Sequence, residues 1–224
     1  LTQRINAFFY NNKTRFFENK KKNFKKIGKY QMWEHLIHTL KGQKVFIDTD
    51  SPAVIKKCNK QFPWVKAYER NKEFIQLEKS KNASPTLKMI KNFLNKYVEN
   101  DNEIIVTTHV TSPFLKINTI KKAAKKLKYY DSVAAVTKDY NFAWLENKNK
   151  KLIPVNFNPN IITKTQNLNP IIQSNGAFFM FKKKTFMKYN NRIGKKPYYY
   201  EINFPESIEI DTNEDLKLAR QICK

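Results

Sequence analysis

Lys44-Val45-Phe46-Ile47-Asp48-Thr49-Asp50-Ser51 is the stretch that decides how this chain is read. Three large apolar residues give way at once to Asp, Thr, Asp and Ser. The run is too short for a helix, and its β-branched and aromatic content suits a strand buried on both faces. The acidic, hydroxyl-rich tail marks a strand that ends at a loop. Working outward, residues 5–10, 103–107 and 131–136 repeat the pattern of a short apolar run followed by polar or turn residues. Between these runs the apolar spacing changes to that of helices. Residues 30–40 align Met32, Leu36, Ile37 and Leu40. Residues 86–97 align Leu87, Ile90, Leu94 and Tyr97. Residues 117–127 align Ile117, Ile120, Ala124 and Leu127. Strand, helix, strand, helix predicts an α/β fold in three layers, a mostly parallel sheet with helices on both faces. In such a sheet, functional residues gather on the loops beyond the carboxyl ends of the strands.

The 224 residues are 41% hydrophobic, enough for one substantial core, and a single domain over 1–224 is expected. Residues 140–170 break the alternation. They hold Pro154, Pro159 and Pro170, many Asn and irregularly spaced aromatics, and predict an extended or hairpin excursion, a lid or an oligomer contact. A strand returns at 177–181 and a last helix at 213–222. No apolar run reaches the ~20 residues of a membrane span, and residues 1–10 lack the form of a signal peptide. Cys58 and Cys223 make neither a disulfide framework nor a zinc spacing, so a cytoplasmic protein with reduced thiols and no membrane partner is expected.

The formal net charge is +24, from 43 Lys plus Arg against 19 Asp plus Glu. The cations are mostly Lys and are spread along the chain with Asn, a compositional bias as much as a binding stripe, so nucleic acid is not the expected partner. That reading requires a contiguous lysine face with aromatic stacking residues. Its one local hint is Tyr198-Tyr199-Tyr200 after Lys195-Lys196, which reads as a loop leading to the next strand. The same charge draws in anionic nucleotides and acidic sugars.

Taken in order, the strand ends bear Asp48-Thr49-Asp50-Ser51, then His109-Val110-Thr111-Ser112-Pro113-Phe114, then Ser174-Asn175-Gly176-Ala177-Phe178-Phe179, then Ile208-Glu209-Ile210-Asp211-Thr212 with Asp215. This series resembles the acylneuraminate cytidylyltransferase family over nearly the whole chain. The resemblance implies a Rossmann-like nucleotidyltransferase fold and transfer of CMP from CTP to an acidic sugar, sialic acid or a related nonulosonate, with release of pyrophosphate. It also implies Mg2+ and a homodimer in which the 140–170 excursion reaches the partner.

On that resemblance Asn11, Thr14, Arg15, Lys22, Asn23, Arg70 and Ser84 face the nucleotide. Arg15, Lys22 and Asp211 are the catalytic set, and Glu209 and Asp211 the metal ligands. His109, Thr111, Ser112, Asn175 and Phe179 face the sugar. If 208–211 is extended, Glu209 and Asp211 project to one face and Ile208 and Ile210 to the core. A solvated acidic edge before a helix capped by Thr212 or Asn213 is the other reading of these carboxylates.

The chain departs from the family pattern at several places. Asn11 stands where the family has arginine, Thr14-Arg15 where it has serine-lysine, His109 where it often has glutamine, and Glu209 where it has aspartate. The first loop has no glycine. Arg70 can equally be an exposed surface charge, Ser84 a helix cap, and Asn175-Gly176 a turn requiring positive φ. His35 and His38 are read as half-exposed helix residues. Two further readings stay open: a weakened relative acting as a binding or regulatory protein, and a nucleotidyltransferase for another sugar such as an octulosonate acid.

Overall fold

The computed structural model describes residues 5–11, 22–79 and 84–223. Eleven strands and seven helices appear among them. In chain order they are β1 (Ile5–Asn11), β2 (Lys26–Ile27), β3 (Tyr30–Gln31), α1 (Met32–Thr39), β4 (Lys44–Thr49), α2 (Pro52–Gln61), β5 (Val65–Glu69), α3 (Lys72–Lys79) and α4 (Thr86–Tyr97). They continue with β6 (Ile104–His109), α5 (Ile117–Ala124), β7 (Ser132–Asp139), β8 (Trp144–Glu146), β9 (Leu152–Pro154), β10 (Ile171–Lys182), α6 (Lys183–Tyr189), β11 (Pro197–Glu201) and α7 (Asn213–Ile222).

Seven strands form the central sheet in the order β11-β7-β10-β6-β1-β4-β5. β1 lies between β4 and β6 and is parallel to both. β10 runs antiparallel between β6 and β7, and β11 closes the sheet parallel to β7. From β1 the chain builds first toward β4 and β5, then crosses to β6. The carboxyl ends of β1 and β6 therefore frame the point where the winding reverses, where open α/β sheets bind their ligands.

Alternation along the strands divides the core. Ala7, Phe9, Ile47, Val106 and Phe178 pack with Trp33 and Leu36 of α1, Val54 of α2 and Ile120 of α5. On the opposite face Phe8, Phe46, Ile105 and Phe181 pack with Ile90, Phe93 and Leu94 of α4 and Phe186 of α6. Both faces are covered, which is why β4 reads as an apolar run with no alternation. A smaller cluster joins Ile27 and Met32 to Ile210, Leu216 and Ala219, and docks α7 beside β2.

Several sequence expectations are corrected. The strand expected at 177–181 begins at Ile171. It contains a register shift between Ser174 and Phe179, so Asn175-Gly176 sits in a bulge within a strand and not in a turn between elements. Gly176 does have the positive φ expected of it, +71°. Tyr198-Tyr199-Tyr200 is itself strand β11, because its alternate rings pack inward beside Tyr130 and Phe178. α2, β5 and α3 carry no expectation at all. α2 and α3 are mostly polar, and β5 is a half-exposed edge, so their apolar signal is thin. Within 140–170, β8 and β9 pair as a small antiparallel hairpin outside the main sheet. Its root is held by Asn156, whose amide accepts from Ala143 N and donates to the carbonyls of Asn141 and Asn169.

Candidate active site

Beyond the carboxyl end of β6 the chain turns through His109, Val110, Thr111 and Ser112, with Ser112 N donating to His109 O at 3.1 Å. The segment before α7 runs alongside, because Ile210 N donates to Thr111 O at 2.8 Å. This single backbone link orients the acidic side chains of that segment. Ile210 is fully buried, so Glu209 on its other side turns toward β6. The Thr111 hydroxyl donates to Glu209 Oε1 at 3.2 Å, and His109 Nδ1 lies 3.7 Å from the same oxygen. The bulge of β10 supplies the third wall. A Cβ at Gly176 would lie 3.5 Å from both Glu209 oxygens and 3.6 Å from His109 Nδ1. Residues from three distant stretches thus converge: His109 and Thr111, Gly176, and Glu209.

Two polar groups next to this cluster are buried with no hydrogen-bond partner among the described residues, Ser112 Oγ and Asn175 Nδ2. Asn175 Oδ1 accepts from Ala177 N at 3.2 Å, which closes the bulge and fixes the side chain. Buried donors are rarely left unsatisfied. Both are therefore groups for a ligand or ordered water to complete. Asp211 is exposed, and its backbone amide donates to Asp215 Oδ2 at 3.0 Å. Thr212 caps α7, with its hydroxyl accepting from Asp215 N at 3.1 Å while Asp215 Oδ2 accepts from Thr212 N at 2.7 Å. The capping role belongs to Thr212 and Asp215 and leaves the Glu209 and Asp211 side chains out of it.

Magnesium characteristically takes one or two carboxylates and completes its shell with water and substrate phosphates. Among the described residues no three His, Cys, Asp or Glu side chains form a metal cage. Glu209 and Asp211, either side of the buried Ile210 on the segment before α7, are the pair that suits the two-carboxylate mode.

On the other side of β1, Arg70 follows β5 and its side chain is fully buried. Its Nε donates to Asp48 Oδ1 at 2.5 Å, Nη2 to Asp48 O at 2.9 Å, and Nη1 to both Glu78 oxygens at 3.0 Å. Arg70 is no exposed surface charge. It ties the carboxyl end of β4 to the last turn of α3, from inside. The nucleotide-facing role expected of it is also revised, because these donors are turned onto Asp48 and Glu78. Burial pushes the Asp48 carboxyl above its ordinary range, against the opposing pull of the Arg70 charge. Burial likewise pushes the Tyr68 hydroxyl beside them well up.

Asn11 is the last residue of β1, in register with Thr49, and Lys22 opens a 3-10 turn at Lys22–Phe24 in which Asn23 is buried. Thr14 and Arg15 lie outside the described residues. Ser84 is exposed and accepts from Thr86 N at 3.4 Å, consistent with a helix-entry role. Phe179 is 6% exposed and its ring is covered by the Arg192 guanidinium at 3.9 Å, so it is part of the sheet's packed face and not an open sugar platform. Its neighbour Phe178 is buried too. Arg192 is a residue that sequence reasoning misses. Its one signal is that it is an arginine in a chain whose cations are nearly all lysine.

A sheet of this order, with a polar cluster at its reversal point and acidic side chains reaching in from the segment before the last helix, defines a nucleotidyltransferase-type α/β fold. Solved structures agree. A 4-diphosphocytidyl-2C-methyl-D-erythritol synthase from Anaerococcus prevotii superposes with a TM-score of 0.66 at 14% identity, over 99% of this chain and 98% of that one. A CMP:2-keto-3-deoxy-manno-octonic acid synthetase complexed with CTP superposes at 0.65 with 13% identity, over 98% of each.

The chain belongs to the cytidylyltransferase family, whose model matches residues 17–224. It is 28% identical over 183 residues to N-acylneuraminate cytidylyltransferase A of Danio rerio and 27% identical over 177 residues to N-acylneuraminate cytidylyltransferase of Streptococcus agalactiae. These alignments take in 79% and 76% of this chain and 40% of each relative, so the chain spans well under half the length of the curated relatives it matches.

Proposed function

We propose that this protein transfers CMP from CTP to an acidic sugar of the sialic acid or nonulosonate type and releases pyrophosphate. The observation that carries the reading is the convergence of His109, Thr111, Gly176 and Glu209 at the carboxyl end of β6, in a chain of the cytidylyltransferase family.

The chemistry requires the sugar's anomeric hydroxyl to be held in line with the α-phosphate of CTP. His109 and Thr111 offer donors and acceptors to sugar hydroxyls. Ser112 and Asn175 offer the unsatisfied groups a polar ligand would complete. Gly176 keeps the space between His109 and Glu209 from being filled by a side chain. Arg15 and Lys22 supply positive charge toward the triphosphate, with Asn11, Thr14, Asn23 and Ser84 as the other nucleotide-facing residues. Glu209 and Asp211 hold Mg2+, which when bound screens the phosphate charge and polarises the phosphoryl oxygens.

The protein works as a homodimer through the β8–β9 hairpin. Trp144, Leu145, Leu152 and Ile153 are all exposed there, and an apolar surface of this kind calls for a partner.

The test is pyrophosphate release with CTP, magnesium and a panel of N-acetylneuraminate, legionaminate, pseudaminate and the octulosonate acid, with Asp211→Ala alongside. Release with one sugar, lost in the variant, is the expected result. Silence across the panel together with no CTP binding overturns the reading. Sedimentation of Leu145→Lys/Ile153→Lys tests the dimer: a monomer is expected, and an unchanged mass rejects the hairpin as the interface.

A further inference from the structure

Two lysine-tyrosine motifs about seventy residues apart, Lys125-Lys126-Leu127-Lys128-Tyr129-Tyr130 and Lys195-Lys196-Pro197-Tyr198, are brought together by the fold. The first leaves α5 and leads into β7, and the second leads into β11. The two strands start side by side, with Pro197 in register with Ser132. Each motif places an ammonium over the other's ring. Lys126 Nζ sits 4.7 Å from the Tyr198 ring centroid and Lys196 Nζ 5.5 Å from that of Tyr130, while the Tyr130 and Tyr198 rings lie 4.9 Å apart. Beside them opens a cleft of about 430 Å3 lined by Lys122, Lys125, Lys126, Tyr129 and Tyr130. The neighbouring carboxylate, Asp131, is turned onto Lys196 N at 2.8 Å and the Ser132 hydroxyl at 3.0 Å. Tyr129 is 65% exposed at the rim.

This cleft lies at the amino ends of β7 and β11, the edge of the sheet opposite the candidate active site. It plays no part in the proposed transfer chemistry. It has the two features that sequence-tolerant binding of a single strand requires: a lysine face to follow the phosphates and an exposed ring on which a base can stack. The reciprocal ring contacts hold the ammonium groups in place without neutralising them, so their charge remains available to an anion. A flat anionic surface would make no use of a concave cleft or of a ring at its rim.

We propose that this edge is a binding site for single-stranded nucleic acid, with Lys122, Lys125 and Lys126 on phosphates and Tyr129 under a base.

The experiment is fluorescence anisotropy of the intact protein with a labelled oligo-dT of about 15 nucleotides, long enough to cross one such groove. It is repeated across about 50 to 200 mM salt, where phosphate contacts report themselves as a slope. Lys125→Gln/Lys126→Gln is expected to reduce the salt slope by about 0.7 for each lysine removed. Tyr129→Ala is expected to weaken binding by about tenfold, and Tyr129→Phe to leave it intact. The double variant Lys148→Gln/Lys151→Gln, on the distant hairpin, is expected to bind like the parent. Each of these surface variants is expected to melt within a few degrees of the parent.

Binding that is no weaker for a duplex or an acidic polysaccharide of equal charge, or that ignores Tyr129→Ala, or that falls as much with the hairpin pair, overturns the proposal. So does the absence of binding at the lowest salt. The CTP-dependent assay is independent of all these outcomes, because none of the substituted residues belongs to the candidate active site.

Discussion

The buried Asp48–Arg70–Glu78 network sets up a strong and specific prediction. Arg70→Met removes the cation that sits between two carboxylates that are 1% and 8% exposed. Breaking a buried ion pair by deleting one partner typically costs about 3–5 kcal/mol, since a buried charge loses its counter-charge without regaining water. Stability for a domain is commonly about 5–15 kcal/mol, so the variant is expected to fold with much of its margin gone. For a chain of this size that corresponds to a melting temperature lower by roughly 6–20 °C. Guanidinium unfolding gives the free energy, with the slope compared to show that the unfolded states match.

The pH dependence provides a second measurement. Without Arg70 the Asp48 carboxyl loses the pull that opposes its burial, and its folded-state pKa rises further above the unfolded value. A raised carboxyl binds a proton in the folded state that the unfolded chain has already released. The penalty is therefore full above the folded pKa and shrinks as pH falls toward the unfolded value, about 3.9. Arg70→Met is expected to be most damaging at neutral pH and to approach the parent in mild acid. A loss under about 1 kcal/mol, of the size seen for exposed pairs, would refute the interior network and restore Arg70 to a surface or ligand-facing role.

Three other outcomes are expected. Gly176→Ala forces a Cβ into a left-handed backbone at φ +71° beside Glu209 and His109. It is expected to cost about 1–2 kcal/mol in denaturant titrations and to reduce turnover with CTP more than CTP binding. Thr212→Ala removes the capping box of α7 and is expected to cost about 1 kcal/mol by thermal melting, with Thr212→Ser close to neutral. Burial pushes the Cys58 thiol up to about 12, whereas Cys223 is partly exposed and raised less. A disulfide reagent at mildly alkaline pH is expected to modify Cys223 alone in the folded protein and both thiols after unfolding, as counted by mass spectrometry.

Elements buried on two faces were open to sequence reading. β1, β4, β6 and β7 announce themselves as short apolar runs, and the helices with a full apolar stripe, α4 and α7, begin and end where their periodicity does. A cap of α7 at Thr212 or Asn213 and the positive φ of Gly176 were also legible, because each rests on local backbone chemistry. Marginal elements were not. α2 and α3 bury few side chains, β5 is an edge, and β11 is a run of tyrosines whose inward rings find partners only across the sheet.

The sequence by itself determined the α/β class, the family resemblance and the order in which functional residue types arrive along the chain, since periodicity and motif order are properties of one dimension. The tertiary structure alone decided which of those residues meet. A histidine, a glycine and a glutamate separated by 67 and then 33 positions close on one another because β10 returns antiparallel beside β6 and Ile210 bonds to Thr111. An arginine that reads equally as a nucleotide contact or a surface charge is interior because Asp48 and Glu78 flank it in space. Two lysine-tyrosine motifs stack on each other beside one cleft because β7 and β11 start together. Charge pairing and burial act over ångströms of space, and no count of residues along the chain measures that distance.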